Sequence, residues 1–96
     1  MAAGDWNDML YAAEKGDVEL VEYHLRQGEN PNYQHPEFMT TPLIESARNG
    51  HLAVVKLLLS YQADPTIKAG FGTETAIHAA KAGNHKEIVN LLKSHL

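Results

Sequence analysis

Six histidines are the side chains of this sequence best suited to hold a metal, since it has no cysteine. The candidate pairs of metal ligands are His78 with His85, and His35 with the carboxylate of Glu37. Two histidines four residues apart on one helix would be a specific ligand signal, and no two histidines stand at that spacing. The histidine spacing therefore predicts neither a metal site nor a metal cofactor.

Catalysis by a nucleophile would need a hydroxyl or thiol beside a base, and the absence of cysteine leaves Ser46 as the best-placed group. Acid–base catalysis would need paired carboxylates, for which Glu19 with Glu22 and Asp5 with Asp8 are the candidates. These acidic pairs fall on exposed helix faces or at a helix start, where carboxylates favour solubility and the helix dipole. We therefore predict no enzymatic activity and no cofactor.

Composition narrows the class of partner. The 96 residues are 44% apolar and 21% charged, which is typical of one globular domain. A net charge of −4 gives no support for non-specific binding to nucleic acid or to an acidic membrane. Apolar runs are too short to span a membrane, and the N-terminus lacks the pattern of a secretory signal. We expect an intracellular protein, cytoplasmic or nuclear, while a secreted effector stays open.

The elements that must position these residues come from an internal repeat of 34 residues. Gly16, Gly50 and Asn84 occupy one repeat position, and Thr41-Pro42 matches Thr75-Ala76. Three amphipathic stretches follow those residues in the same register, over 17–25, 51–59 and 85–93. The match runs from about residue 7 to the C-terminus.

Each unit is predicted to hold two helices and a loop. In the second unit, the first helix starts at Thr41-Pro42, where threonine caps and proline is tolerated, and ends at Gly50. The second helix covers about 52–60, since the apolar residues there follow helical spacing, and Pro65 stops it. The polar stretches 32–40 and 66–74 are predicted to be loops or short hairpins.

The segment 41–59 closely resembles the ankyrin repeat, and 75–80 resembles the opening of a further copy. The resemblance implies an all-α solenoid of three stacked helix–turn–helix units with projecting loop or hairpin fingers. It also implies that the recurring His51 and His85, and His78, serve structure. Ser46 falls at a small inner-helix position, which packing explains. Two departures are Ile44, in place of the family's histidine, and Gln62, at a position expected to have a positive φ.

We predict a single domain over residues 1–96, with units of about 7–40, 41–74 and 75–96, and treat it as a complete small protein. Polar residues at both ends are expected to shield the stack. At the C-terminal end these are Lys81, Lys86, Asn90, Lys93 and His95. Trp6 has two readings, as a lid on the N-terminal core or as a binding residue.

The function implied by the resemblance is that of a non-catalytic module, monomeric by itself, which binds a protein through its concave inner-helix face and fingers. Large side chains that the core does not require are the candidate contacts. The residues expected to carry binding are Tyr11, Phe38, Met39, Arg48 and Phe71, and those expected to tune specificity are Glu14, Lys15, Glu45 and Asn49.

Charge is unevenly distributed and supports an alternative function. Residues 1–34 carry two basic and seven acidic side chains, whereas residues 69–96 carry three basic and two acidic ones. A small regulator could self-associate by docking the acidic N-terminal end of one copy on the basic C-terminal end of the next. The acidic end also fits two further interpretations: attraction of a basic partner, or a solubilising cap.

Overall fold

The computed structural model describes residues 5–34, 36–70, 72 and 74–96, with side chains described from residue 8 onward. Within those ranges the chain forms six helices in three consecutive pairs. The inner helices are α1 (Asp5–Lys15), α3 (Pro42–Arg48) and α5 (Ala76–Ala82), and the outer helices are α2 (Val18–Arg26), α4 (Leu52–Ser60) and α6 (Lys86–Lys93). The prediction of an all-α repeat is confirmed, and the outer helix predicted over 52–60 is α4.

The second and third inner helices, α3 and α5, begin where the sequence predicts, because threonine caps them. The Thr41 hydroxyl accepts the backbone N–H of Ile44 at 3.3 Å, and Pro42 follows in the first turn. Thr75 makes the equivalent bond to His78, whose ring nitrogen accepts the Thr75 N–H at 3.2 Å. The two bonds form a reciprocal cap, which confirms the structural role of His78.

The turn between the two helices of each unit contains a residue with a positive φ. At Gly16 and Gly50, a histidine ring of the next unit also packs closely against this residue. Gly16, Gly50 and Asn84 have φ values of 82°, 78° and 61°. A Cβ atom at Gly50 would lie 2.5 Å from the His85 ring, so glycine is required there for space as well as for φ. The His85 ring donates to the Arg48 carbonyl at 3.0 Å, and His51 donates to the Glu14 carbonyl at 2.8 Å. These histidines tie each unit to the preceding one, as their predicted structural role requires.

The units share one continuous core. Each inner helix packs on the next, and the outer helices pack on one another less extensively. One repeat position supplies Val21, Val55 and Val89, all of them buried, and Leu58 and Leu92 are fully buried at another. Ser46 is also fully buried and donates to the Leu43 carbonyl at 3.1 Å, which confirms its packing role. None of the helices in the described ranges is long and apolar enough to cross a membrane.

The two ends of the stack differ in chemistry. Ala47 and Leu59 are buried in the second unit, while Lys81 and Lys93 occupy the same repeat positions in the third unit and are exposed. At the other end, Leu20 is 40% exposed, although its repeat equivalent Val54 is 1% exposed. The C-terminal end is therefore charged where an inner unit makes apolar contacts, whereas the N-terminal end keeps apolar surface exposed.

The fingers are loops that hydrogen-bond to one another. In the second finger, Ala69 and Glu74 form an isolated antiparallel bridge. Between fingers, the Gly70 N–H donates to the Met39 carbonyl at 2.8 Å. The Gln34 amide donates to the carbonyls of Met39 and Lys68, at 2.8 and 2.7 Å. These bonds fix the first finger against the second and so position its tip, which includes Phe38.

We expect Gln62→Gly to raise the free energy of unfolding by up to about 1 kcal/mol. Gln62 has a φ of 70°, as predicted, and its repeat equivalent Gly28 has a φ of 88°. Glycine removes the Cβ strain, although its greater freedom in the unfolded chain offsets part of the gain. Asn84→Gly should give a smaller gain, since asparagine tolerates this conformation better. Urea denaturation would measure both effects, and a clear loss of stability for Gln62→Gly would contradict the prediction.

Candidate functional site

A groove of about 510 Å³ lies between the inner helices α1 and α3 and the two fingers. Its volume is within the range of protein pockets that bury a ligand, roughly 300–1,000 Å³. Hereafter it is called the groove, and its described lining residues are Leu10, Tyr11, Glu14, Phe38, Thr40, Glu45, Arg48, Ala69, Gly70 and Glu74.

Helix α1 supplies one wall of the groove. Tyr11 and Glu14 are three residues apart, so they lie on the same face of the helix one turn from each other. Both are exposed, with Tyr11 at 44%, whereas Leu10 beside them is buried. The wall thus presents one aromatic ring and one carboxylate over an apolar base.

The floor is an ion-pair network centred on Arg48. Its guanidinium donates to both carboxylate oxygens of Glu74, at 2.6 and 2.9 Å, and to Glu45 at 3.3 and 3.4 Å. Glu45 also accepts the hydroxyl of the buried Thr40 at 2.7 Å. The hydrogen bonds to Glu74 are the main reason that the pKa of Arg48 is raised above its usual value. Arg48, which is charged at any ordinary pH, thus links the second finger to α3.

Phe38 contributes the second aromatic ring, from the first finger. Its side chain is 53% exposed although it is large and apolar. Exposed aromatic rings in a concave surface are typical of protein-binding sites rather than of folding cores. Tyr11 and Phe38 thus come from different elements and line one groove.

The chemistry of the groove is suited to binding. Among its described lining residues, three carboxylates and one guanidinium give a net charge of −2 at neutral pH. Its described lining residues include no serine, cysteine, lysine or histidine that could act as a nucleophile or a neutral-pH base. Across the described part of the chain, no three His, Asp or Glu side chains converge as a metal site would require.

The groove brings together five of the nine residues that the sequence predicted for binding. Tyr11, Glu14, Phe38, Glu45 and Arg48 line it. The guanidinium of Arg48 is already paired with Glu45 and Glu74, so Arg48 lines the groove as part of an ion-pair network and not as an unpaired cation.

The other predicted residues lie elsewhere. Lys15 lines a second hollow, at the N-terminal end, together with Tyr23 and with Tyr11, which borders both this hollow and the groove. The Asn49 side chain donates to the Glu45 carbonyl at 2.8 Å and so helps to end α3. Met39 has a φ of 54° in the first finger and is 39% exposed. Phe71, like the Trp6 and His35 side chains, lies outside what the structure describes.

The sequence did not lead us to predict that the residue before each threonine cap would line the groove. Thr40 and Glu74 are 34 residues apart, and each contacts a charged side chain of α3 from the base of a finger. The repeat period was the signal that could have found them, because equivalent positions should occupy equivalent places. The sequence also gave no sign that Glu74, 26 residues away, would be the main partner of Arg48.

Comparison with known proteins gives the same architecture. The family model for ankyrin repeats, in three copies, matches residues 9–95. The chain is 36% identical over 85 residues to human 2-5A-dependent ribonuclease, which covers 88% of this chain and 12% of the ribonuclease. It is 32% identical over 93 residues to "Ankyrin repeat, SAM and basic leucine zipper domain-containing protein 1" of Dasypus novemcinctus, which covers 94% of this chain and 19% of that protein.

A third relative is the ARF GTPase-activating protein Git of Drosophila melanogaster, 38% identical over 68 residues, or 71% of this chain and 9% of that protein. The chain thus spans only 9–19% of the length of these relatives. Ankyrin repeats generally mediate protein–protein interactions, and the domain is typically non-catalytic. On the family match and the repeated helix pairs together, this chain belongs to the ankyrin repeat family.

Proposed function

We propose that this chain is a non-catalytic interaction module that binds a partner protein through the groove and the adjoining fingers. The observation that carries the proposal is the pair of exposed aromatic rings, Tyr11 and Phe38, in one concave surface. Aromatic side chains that are buried on binding contribute a large share of the affinity of protein interfaces. The fingers rest on each other and on α3, so the site is largely formed before binding, which lowers the entropic cost of association.

The groove is a better candidate than the C-terminal end of the stack. End-to-end self-association would place the C-terminal face against another copy, and Lys81, Lys86 and Lys93 are exposed there. Because these lysines occupy the apolar contact positions of an inner unit, burying them would carry a desolvation cost, which pairing with carboxylates of another copy repays only where the geometry is excellent. The proposal therefore takes the protein as a monomer by itself.

We expect Tyr11→Ala and Phe38→Ala each to weaken partner capture by more than about 1 kcal/mol without unfolding the protein. Both side chains are exposed, so their removal should cost the fold little. The measurement is capture of the native partner from lysate by each variant, with thermal melts alongside. Tyr23→Ala is the matched control, because Tyr23 is 56% exposed on the outer helix α2.

Lys86→Ala and Lys93→Ala are controls on the C-terminal face and should leave capture unchanged. Full capture by both groove variants would contradict the proposal, and failure of the lysine variants instead would favour end-to-end association. Arg48→Ala is less informative, since it would also leave Glu45 and Glu74 without their counter-charge.

A further inference from the structure

We infer that the groove recognises a basic side chain of its partner, a lysine or an arginine, held against the rings of Tyr11 and Phe38 and paired with the carboxylate of Glu14. The inference rests on the proposed function, because it names the chemistry of the partner at the same groove. Three properties of the groove support it.

The first property is the net negative charge of the groove. Its single cation, among the lining residues described, is Arg48, which already pairs with Glu74 at 2.6 Å and with Glu45 at 3.3 Å. Arg48 is therefore not available to attract an anion, whereas the surplus of carboxylates attracts a cation. The acidic residues 1–34 extend this field beyond the groove and would speed the approach of a basic partner.

The second property is the position of Glu14. Its side chain is exposed on the groove wall, and within the described part of the chain no ion pair engages its carboxylate. The backbone carbonyl of Glu14 is used by His51, which holds this part of α1 against the second unit. Glu14 is thus a fixed position with an unused charge, which a partner's ammonium or guanidinium can pair with.

The third property is the pair of aromatic rings. Tyr11 lies one helical turn from Glu14, and Phe38 lines the same groove from the first finger. The face of an aromatic ring carries partial negative charge and attracts a cation within about 6 Å, with a gain of about 0.5–2 kcal/mol. The methylene stem of a lysine or arginine can also cover apolar ring surface while its charged head reaches Glu14.

Other ligand chemistries fit the groove less well. A phosphate or an acidic segment would meet a surplus of carboxylates and no unpaired cation among the described lining residues. A wholly apolar segment could cover the two rings, but it would also bury Glu14 without a partner. A basic side chain satisfies the rings and the carboxylate together.

The test begins with a random peptide library displayed on phage and selected against the full 96-residue chain. Peptides that bind the wild type and Tyr23→Ala but not Tyr11→Ala are groove-dependent. We expect these peptides to be enriched in lysine or arginine relative to the unselected library. If no peptide depends on Tyr11, the proposed function and this inference both fail. If groove-dependent peptides lack basic residues, the inference alone is wrong and the groove remains a binding site.

A charge-neutral substitution in the peptide then tests the contact itself. Replacing the selected arginine by citrulline, or lysine by norleucine, removes the charge with little change of size. We expect binding to weaken at least about tenfold, since a cation–π contact and a charge-assisted pair are lost.

Variants of the protein identify the carboxylate that pairs with the basic side chain of the peptide. Glu14→Gln should weaken binding of the basic peptide by about three- to tenfold, and raising the salt concentration should reduce this difference. Glu19→Gln is the matched control, since Glu19 is exposed on α2 outside the groove, and its effect should stay within about twofold. Equal binding of the citrulline peptide, or equal effects of the two glutamine variants, would overturn the assignment.

Discussion

Leu58→Ala is expected to lower the free energy of unfolding by about 2–5 kcal/mol. Leu58 is fully buried in α4 of the middle unit, within the core cluster that runs through all three units. The loss combines the transfer free energy of the missing methyl groups with the cost of a cavity that packing on both sides prevents from closing. A loss of this size is comparable with the total stability of a small domain.

Leu20→Ala is the matched control, because the same change is made on an outer helix where the side chain is 40% exposed. We expect it to cost less than about 1 kcal/mol. Circular dichroism during urea and thermal denaturation would measure both variants. An unchanged melting midpoint for Leu58→Ala would mean that the core described above does not hold the units together.

Features that a single repeat specifies locally could be predicted from the sequence. Thr41 and Thr75 start inner helices because a hydroxyl at that position caps free N–H groups, whatever surrounds the helix. The positive φ of Gln62 and of Asn84 could be predicted because glycine occupies the equivalent position in another unit. Helical spacing predicted most of the buried face of α4, although Val54, which is also buried, lies outside the predicted pattern.

Features that depend on how loops fold back could not be predicted in the same way. The partner of Arg48 is Glu74, which the second finger returns to α3 after a loop with little regular structure. Helical spacing carries no information on such a contact. Tyr11 could be assigned to the concave face from its place in the repeat, whereas the place of Phe38 depended on bonds between the fingers, such as that from Gly70 to Met39.

The buried pair of His24 and Glu29 also escaped sequence reasoning. The His24 ring nitrogen lies 2.5 Å from a Glu29 carboxylate oxygen, and both side chains are 7% exposed. The other carboxylate oxygen, Oε1, is buried without a hydrogen-bond partner among the described residues. In the second unit the same positions hold Leu58 and Ala63, both buried. The backbone is alike in both units, since residue 29 donates to the carbonyl of residue 24 at 3.3 Å and residue 63 to that of 58 at 3.0 Å.

This comparison of the two units predicts that each single substitution lowers the free energy of unfolding, whereas the double substitution leaves it unchanged or raises it. His24→Leu alone should cost about 3–5 kcal/mol, because it leaves the Glu29 carboxylate buried without its partner. Glu29→Ala alone should also destabilise, since it removes the partner of a buried imidazole and leaves a cavity. The double variant His24→Leu with Glu29→Ala reproduces the pair of the middle unit, and we expect it to equal or exceed the wild type, by up to about 4 kcal/mol.

A double-mutant cycle by urea denaturation measures the coupling directly. The double variant keeps the test decisive even where a single variant is too unstable to fold, because its own stability is set against the wild type. A double variant less stable than the wild type by more than about 1 kcal/mol would show that the first unit needs the polar pair. The predicted result would instead mean that His24 and Glu29 weaken the N-terminal unit relative to its neighbour, in the same unit that carries Tyr11 and Glu14 of the groove.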